Sequence, residues 1–223
     1  MGLFDRLRGR AATPDPAPGA APDNHLDPDD LAHMEDSLRE RAQVVFATAT
    51  EPFEEFDHLA RDLASEGFPL ERGRTILREE WDRRAALAVE HAGEDQSTTL
   101  RAAFAQLRAR GVAAFEALGY DNAEGHDYAA ESAGSAEGYV FFHHQDVERI
   151  ADGPGTLHLR YAATRYESTT AAGKYAEDEA IGRRVVAALE EQGLRPTWDG
   201  SGQSTITLED LRWYPMPGER PGD

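Results

Sequence analysis

Residues 138–149 read Gly-Tyr-Val-Phe-Phe-His-His-Gln-Asp-Val-Glu-Arg, and their first half decides the fold. Tyr139, Val140, Phe141 and Phe142 form an unbroken apolar run, suited to a central strand buried on both faces. The polar residues that follow predict that the chain leaves the sheet in a short helical turn, Gln145 to Ala151, ended by the breaker Gly153-Pro154-Gly155. Beyond it, Leu157, Leu159 and Tyr161 alternate with His158 and Arg160, the pattern of a half-exposed strand.

Working outward, residues 177–192 carry Ile181, Val185, Ala188 and Leu189 at helical spacing, with Gly193 as the stop. Arg195–Asp199 and Thr205–Leu208 flank Gly200-Ser201-Gly202 and predict a terminal hairpin. Ile206 and Leu208 are out of phase with Leu211 and Trp213, so a bulge or turn is expected at Glu209-Asp210. Upstream, Val112–Leu118 is a strand candidate, and Pro28–Arg110 reads as helices. The first has Asp27 as N-cap and Pro28 at its first position. The second carries Phe53, Phe56, Leu59 and Leu63 on one face. The third runs from about Arg74 to His91, and the fourth places Leu100, Phe104 and Leu107 inward before Gly111.

The class expected is α+β: a helical part of about four helices, then a small mixed β-sheet of about five strands with packed helices. The division expected is a disordered leader and Pro/Ala linker over 1–27, a helical part over 28–110, an α+β domain over 111–215 and a flexible tail over 216–223. Met1–Arg10 can form one weakly amphipathic turn, and Pro14, Pro16, Pro18 and Pro22 mark the linker.

The 223 residues include no Cys, which excludes disulfides, thiolate nucleophiles and Cys-based metal sites. No apolar run has the ~20 residues of a membrane span, and no secretory signal is present, so a cytoplasmic location is expected. The formal charge is −19, with Lys174 the only lysine. Residues 28–96 hold 18 acids against 8 bases. A phosphate backbone is repelled by such a chain, so no nucleic-acid partner is expected. A basic protein is the partner that the charge favours.

Chemistry-bearing residues gather where the predicted central strand ends. His143, His144, Gln145 and Asp146 stand at its exit, and a buried strand holds its end at fixed geometry. Trp198-Asp199-Gly200 is first a turn signal, and Trp198 can also anchor an interface. These six residues, His143, His144, Gln145, Asp146, Trp198 and Asp199, are the binding surface expected. Asp146 can alternatively cap the short helix, with His143 satisfying a buried hydrogen bond. His143, Asp146, Glu148 and a neighbouring His158 offer metal-ligand atoms, but HxH and HExxH spacings are lacking, so no metal and no cofactor are expected. Glu124, His126 and Asp127 fall in a Gly-containing connection read as solvated. GxSxG, GxGxxG and GxxxxGK[ST] are all absent, which leaves no catalytic residue to name.

The 138–149 stretch, with Ala180-Ile-Gly-Arg-Arg-Val-Val-Ala-Ala-Leu-Glu-Glu-Gln-Gly-Leu194 and Trp198-Asp-Gly200, resembles an uncharacterised bacterial domain-of-unknown-function family, common in actinobacteria. The likeness runs from about Leu31 to Trp213 and implies no established activity. The expectation is therefore a non-enzymatic binding or regulatory module acting on a protein partner. The alternative is an enzyme or metal-binding protein with its site at the His143/Asp146 strand end.

Overall fold

A computed structural model describes residues 26–219. The expectations for residues 1–25 and 220–223 lie outside the described residues. Four α-helices come first: α1 (Pro28–Phe46), α2 (Asp57–Ser65), α3 (Leu70–Glu90) and α4 (Ser97–Ala109). The rest alternates strands and helices: β1 (Val112–Phe115), α5 (Asn122–Ser132), β2 (Gly138–Phe141), α6 (His144–Glu148), β3 (Gly155–Ala163), α7 (Ala171–Glu191), β4 (Pro196–Thr197) and β5 (Ile206–Leu211). The fold is α+β. Asp27 caps α1 by accepting from the Asp30 N–H, and Pro28 occupies the first helical position, where its missing N–H costs nothing.

The strands form one sheet in the order β1-β2-β3-β5-β4. β1 and β2 are parallel, and every other pair is antiparallel. All four residues of β2 are buried, as its apolar run requires. The bulge is present: Gly155 and Leu157 of β3 face Leu211 and Leu208 of β5, and Asp210 takes φ +51°.

α5 is the element that the sequence pattern does not give. Parallel neighbours need a crossover, usually helical, so the β1–β2 pairing makes a helix between them natural. Asp121 caps it through the N–H groups of Ala123 and Glu124. Its inward residues are small, Gly125 and Ala129, so no apolar stripe marks it.

Two cores result. In the first, α1, α2 and α3 pack Leu38, Phe46, Leu59, Ile76 and Leu77 together. In the second, α4 and α7 lie on one sheet face, joining Phe104 and Leu107 with Val140, Phe142, Leu159, Val185 and Leu189. A strap over 212–218 ties the two. Trp213, fully buried, donates its indole N–H to Ala47 O at 2.7 Å, and the Gly218 N–H donates to Ala49 O at 3.0 Å. From α3, the buried Arg84 reaches Ala151 O at 2.6 Å and Trp213 O at 2.8 Å.

The opposite sheet face is covered unequally. α5 lies over β1 and β2, where Ala129 and Ala133 meet Tyr139, Phe141 and Ala162. On β3 and β5 the same face carries His158, Arg160 and Thr207, which stay only partly buried.

Candidate functional site

At the end of β2 the backbone extends through His143, the N-cap of α6. Asp146, three residues on, turns its carboxylate back to accept the His143 N–H at 3.1 Å, as in a capping box. Its side chain has no solvent exposure. A buried carboxylate needs charge compensation, and two arginines supply it. Arg149 donates to Asp146 Oδ1 at 3.0 Å, and Arg160, from the adjacent strand β3, donates to Oδ2.

His143 Nδ1 lies 3.1 Å from Asp146 Oδ2, but the geometry makes no well-directed hydrogen bond, and the nitrogen is sealed from solvent. Burial pushes the imidazole pKa down, against the pull of Asp146. His143 is therefore held toward its neutral form.

His144 and Gln145 reach solvent only in part. Gly119 O accepts both from the His144 N–H at 3.1 Å and from the His144 ring Nδ1 at 2.9 Å, and the Gln145 N–H donates to Tyr120 O at 3.4 Å. The loop entering α5 is thus pinned to α6. It takes φ +72° at Gly119, where a Cβ would stand 2.6 Å from the backbone N of Gly125.

Trp198 and Asp199 lie elsewhere. Trp198 packs edge-on against Tyr161, 5.9 Å between centroids, beneath Gly182 of α7 and on the face opposite Arg160. Its indole donates to Ser201 O at 3.2 Å. Asp199 closes the turn by accepting from the Ser204 hydroxyl and, at 2.9 Å, from the Ser201 N–H; both bonds lower its pKa. The structure joins His143, His144, Gln145 and Asp146 in one cluster and sets Trp198 and Asp199 apart from it.

Residues not among the expected six complete the cluster. Arg160 is the principal one. The alternation of β3 already placed Arg160 and His158 on one face, but not beside Asp146. On β2, Tyr139 Oη is hydrogen-bonded to His126 Nδ1 of α5 at 2.9 Å. Burial raises the Tyr139 pKa to about 12, so the phenol is a poor source of phenolate. Burial, with Arg160 adding to it, lowers the pKa of both His126 and His158. At the far end of β3, Asp178 of α7 accepts from the Ala163 N–H at 2.8 Å and from the Tyr166 hydroxyl at 2.9 Å. Among the described residues, no group of three or more His, Asp or Glu is arranged to hold a metal ion.

Two surface grooves lie outside this cluster. One, about 420 Å³, runs along α3 between Phe53, Asp57, Arg74, Arg78 and Asp82. The other, about 490 Å³, borders the bulge of β5 and is lined by Glu94, Arg195, Asp210 and Arg212.

Residues 27–215 match the model of one family, described as Domain of unknown function (DUF6891). No curated protein and no solved structure matches the chain.

Proposed function

The chain belongs to the DUF6891 family, and we propose that it is a non-enzymatic binding or regulatory module of the cytoplasm that acts on a basic protein partner. One observation carries this reading: among the described residues most cations are ion-paired within the chain, whereas many carboxylates are not. Arg39, Arg72, Arg74, Arg83, Arg110 and Arg184, among others, are each paired with a carboxylate of the same chain. Glu40, Glu51, Glu54, Glu55, Asp62 and Glu66 are exposed and enter no ion pair among the described residues. They fall within residues 40–66, from α1 to the end of α2, where seven acids stand against Arg41 and Arg61, so the net negative charge has a place as well as a size. An unneutralised acidic face steers a basic surface toward it and favours a fast, salt-sensitive encounter.

In this reading the buried pair His143 and Asp146 holds the fold, and the helical part meets the partner. No helix among the described residues is long and apolar enough to cross a membrane. The test compares the wild type with a variant carrying Glu51→Gln, Glu54→Gln, Glu55→Gln and Asp62→Asn. A control variant, matched in charge, neutralises the exposed Glu131, Glu148, Glu190 and Glu209 instead. The expected result is a saturable complex with one basic protein of the native cell extract, lost in the first variant and kept in the control. Equal loss in both variants reduces the effect to net charge and overturns the reading.

A further inference from the structure

We propose that Arg160, with His158 and His126 beside it, forms a binding site for a small oxyanion, a carboxylate or phosphate group, on the half of the sheet face that α5 leaves open. This site is separate from the acidic face of α1 and α2 and does not depend on it.

The first argument is the guanidinium itself. Arg160 spends one nitrogen, Nη1, on Asp146 and on the carbonyl of His158, the latter at 2.7 Å. Its Nε and Nη2 have no hydrogen-bond partner among the described residues. The nitrogens that are both sealed and unpartnered there are Arg84 Nε and His143 Nδ1, so those of Arg160 keep access to solvent. Nε–H and Nη2–H form the side-on fork of a guanidinium, which matches the two oxygens of a carboxylate or phosphate. The same chain shows that fork in use. Arg72 grips Glu35 through Nε at 2.8 Å and Nη2 at 2.7 Å, and Arg74 grips Asp57 through the same two nitrogens at 2.8 and 3.3 Å. At Arg160 the protein supplies no carboxylate to that edge.

The second argument is pre-organisation. The Arg160 side chain is only 13% exposed and is anchored at Nη1, so little rotamer freedom remains to be lost on binding. Phe141 is its cross-strand neighbour, and the ring of His126 stands edge-on to Phe141 with centroids 5.0 Å apart. His158, two residues earlier on β3, presents its imidazole on the same face, with Thr207 Oγ1 3.5 Å from its Nδ1.

The third argument is the local sign of charge. Asp146 is one carboxylate against the two guanidinium groups of Arg149 and Arg160. In a chain of net charge −19 this spot has cationic excess. Burial is the first cause of the lowered pKa of His126 and His158; the field of Arg160 adds to it, against Asp178 and Asp127 at His126 and against Asp146 at His158. An added anion relieves that field and gives both imidazoles a reason to donate.

The experiment titrates ¹⁵N-labelled full chain with inorganic phosphate and, in a second arm, with acetate, at constant ionic strength set by chloride. The Arg160 Nε–H and the imidazoles of His126 and His158 are followed. The expected result is a saturable shift at Arg160 Nε, half-complete at about 1–10 mM, with the His158 pKa rising as the anion binds. Saturation in both arms assigns the site to either oxyanion, and saturation with phosphate alone narrows it to phosphate. No saturable shift in either arm, or equal shifts at the exposed Arg110 and Arg183, overturns the proposal. Arg160→Gln should abolish binding. Because that change also touches Asp146, His158→Ala serves as the second variant, and a fall of at least threefold in phosphate affinity is expected there. Unchanged affinity in both variants likewise overturns the site.

Discussion

Arg160 on β3 and Asp146 on α6 are joined by a hydrogen-bonded ion pair in which the carboxylate has no exposure and the guanidinium has little. The pair locks the exit of β2 to the strand beside it. It also explains why an acidic residue can lie at the floor of the sheet end: the cost of burying its charge is met by two arginines and a backbone N–H.

Asp146→Asn keeps the size of the side chain and removes its charge. Arg149, half exposed, can turn to water, but Arg160 is left as a largely buried cation without its counter-ion. The expected loss is about 3–5 kcal/mol in urea unfolding. Adding Arg160→Met to that variant should recover part of the loss, since neighbouring changes in one network are not additive. Full additivity would show that the two residues do not act together.

Stability should fall as the solution is acidified below about pH 6.5, before the carboxylates titrate. His126, His143 and His158 all have pKa values lowered from 6.5, with burial the first cause in each. The unfolded chain therefore binds more protons than the folded one once the pH drops below 6.5. Their contribution is present above that pH and is lost as pH falls through the folded values. Urea midpoints measured from pH 7.5 to 5 should decline, and His126→Phe should flatten the decline. A second loss follows at lower pH, where Glu35 and Asp57, held below their ordinary values by Arg72 and Arg74, take up protons.

Gly125→Ala sets two effects against each other. Helix propensity alone favours Ala by roughly 0.5–1 kcal/mol. The new Cβ, however, would stand 2.1 Å from Phe141 Cε2, and a buried ring in a sheet cannot yield cheaply. The expected net result is destabilisation of about 1–3 kcal/mol, read as a lowered thermal midpoint. An increase would show that α5 can ride away from β2.

Trp213→Phe keeps one six-membered ring, deletes the indole N–H donor and leaves a small cavity where the pyrrole ring stood. Ala47 O then loses its 2.7 Å partner in a buried place, at a cost of about 1–3 kcal/mol. The loss should appear as faster hydrogen exchange at the α1 C-terminus and along the strap. Unchanged exchange there would mean that the bond contributes nothing to joining the two cores.

Much of this architecture was legible in residue order. The apolar run 139–142 gave the buried strand, the 157–161 alternation gave its neighbour, and the phase slip at 209–210 gave the bulge. α5 was not legible because a helix packed through Gly125 and alanines carries no apolar stripe. Of the candidate site, residue order alone puts the consecutive His143, His144, Gln145 and Asp146 at the strand end. That Arg160 neutralises Asp146 depends on β3 pairing beside β2, and strand order is not written in the periodicity of either strand. Trp198 packs over Tyr161 because β4 sits at the far side of the sheet, which is again a matter of order rather than pattern.

The strap over 212–218 gives biosynthesis a fixed sequence of events. Trp213 and Ala47 stand 166 positions apart, so the ribosome releases the acceptor roughly ten to thirty seconds before the donor at about 5–20 residues per second. During that interval the nascent α1–α3 bundle can close on itself, while the side of Arg84 that later meets Ala151 and Trp213 is still bathed in water. The final docking thus waits until residue 213 has left the ribosome, and a chain stalled before residue 212 would expose the seam between its two halves to chaperones and proteases.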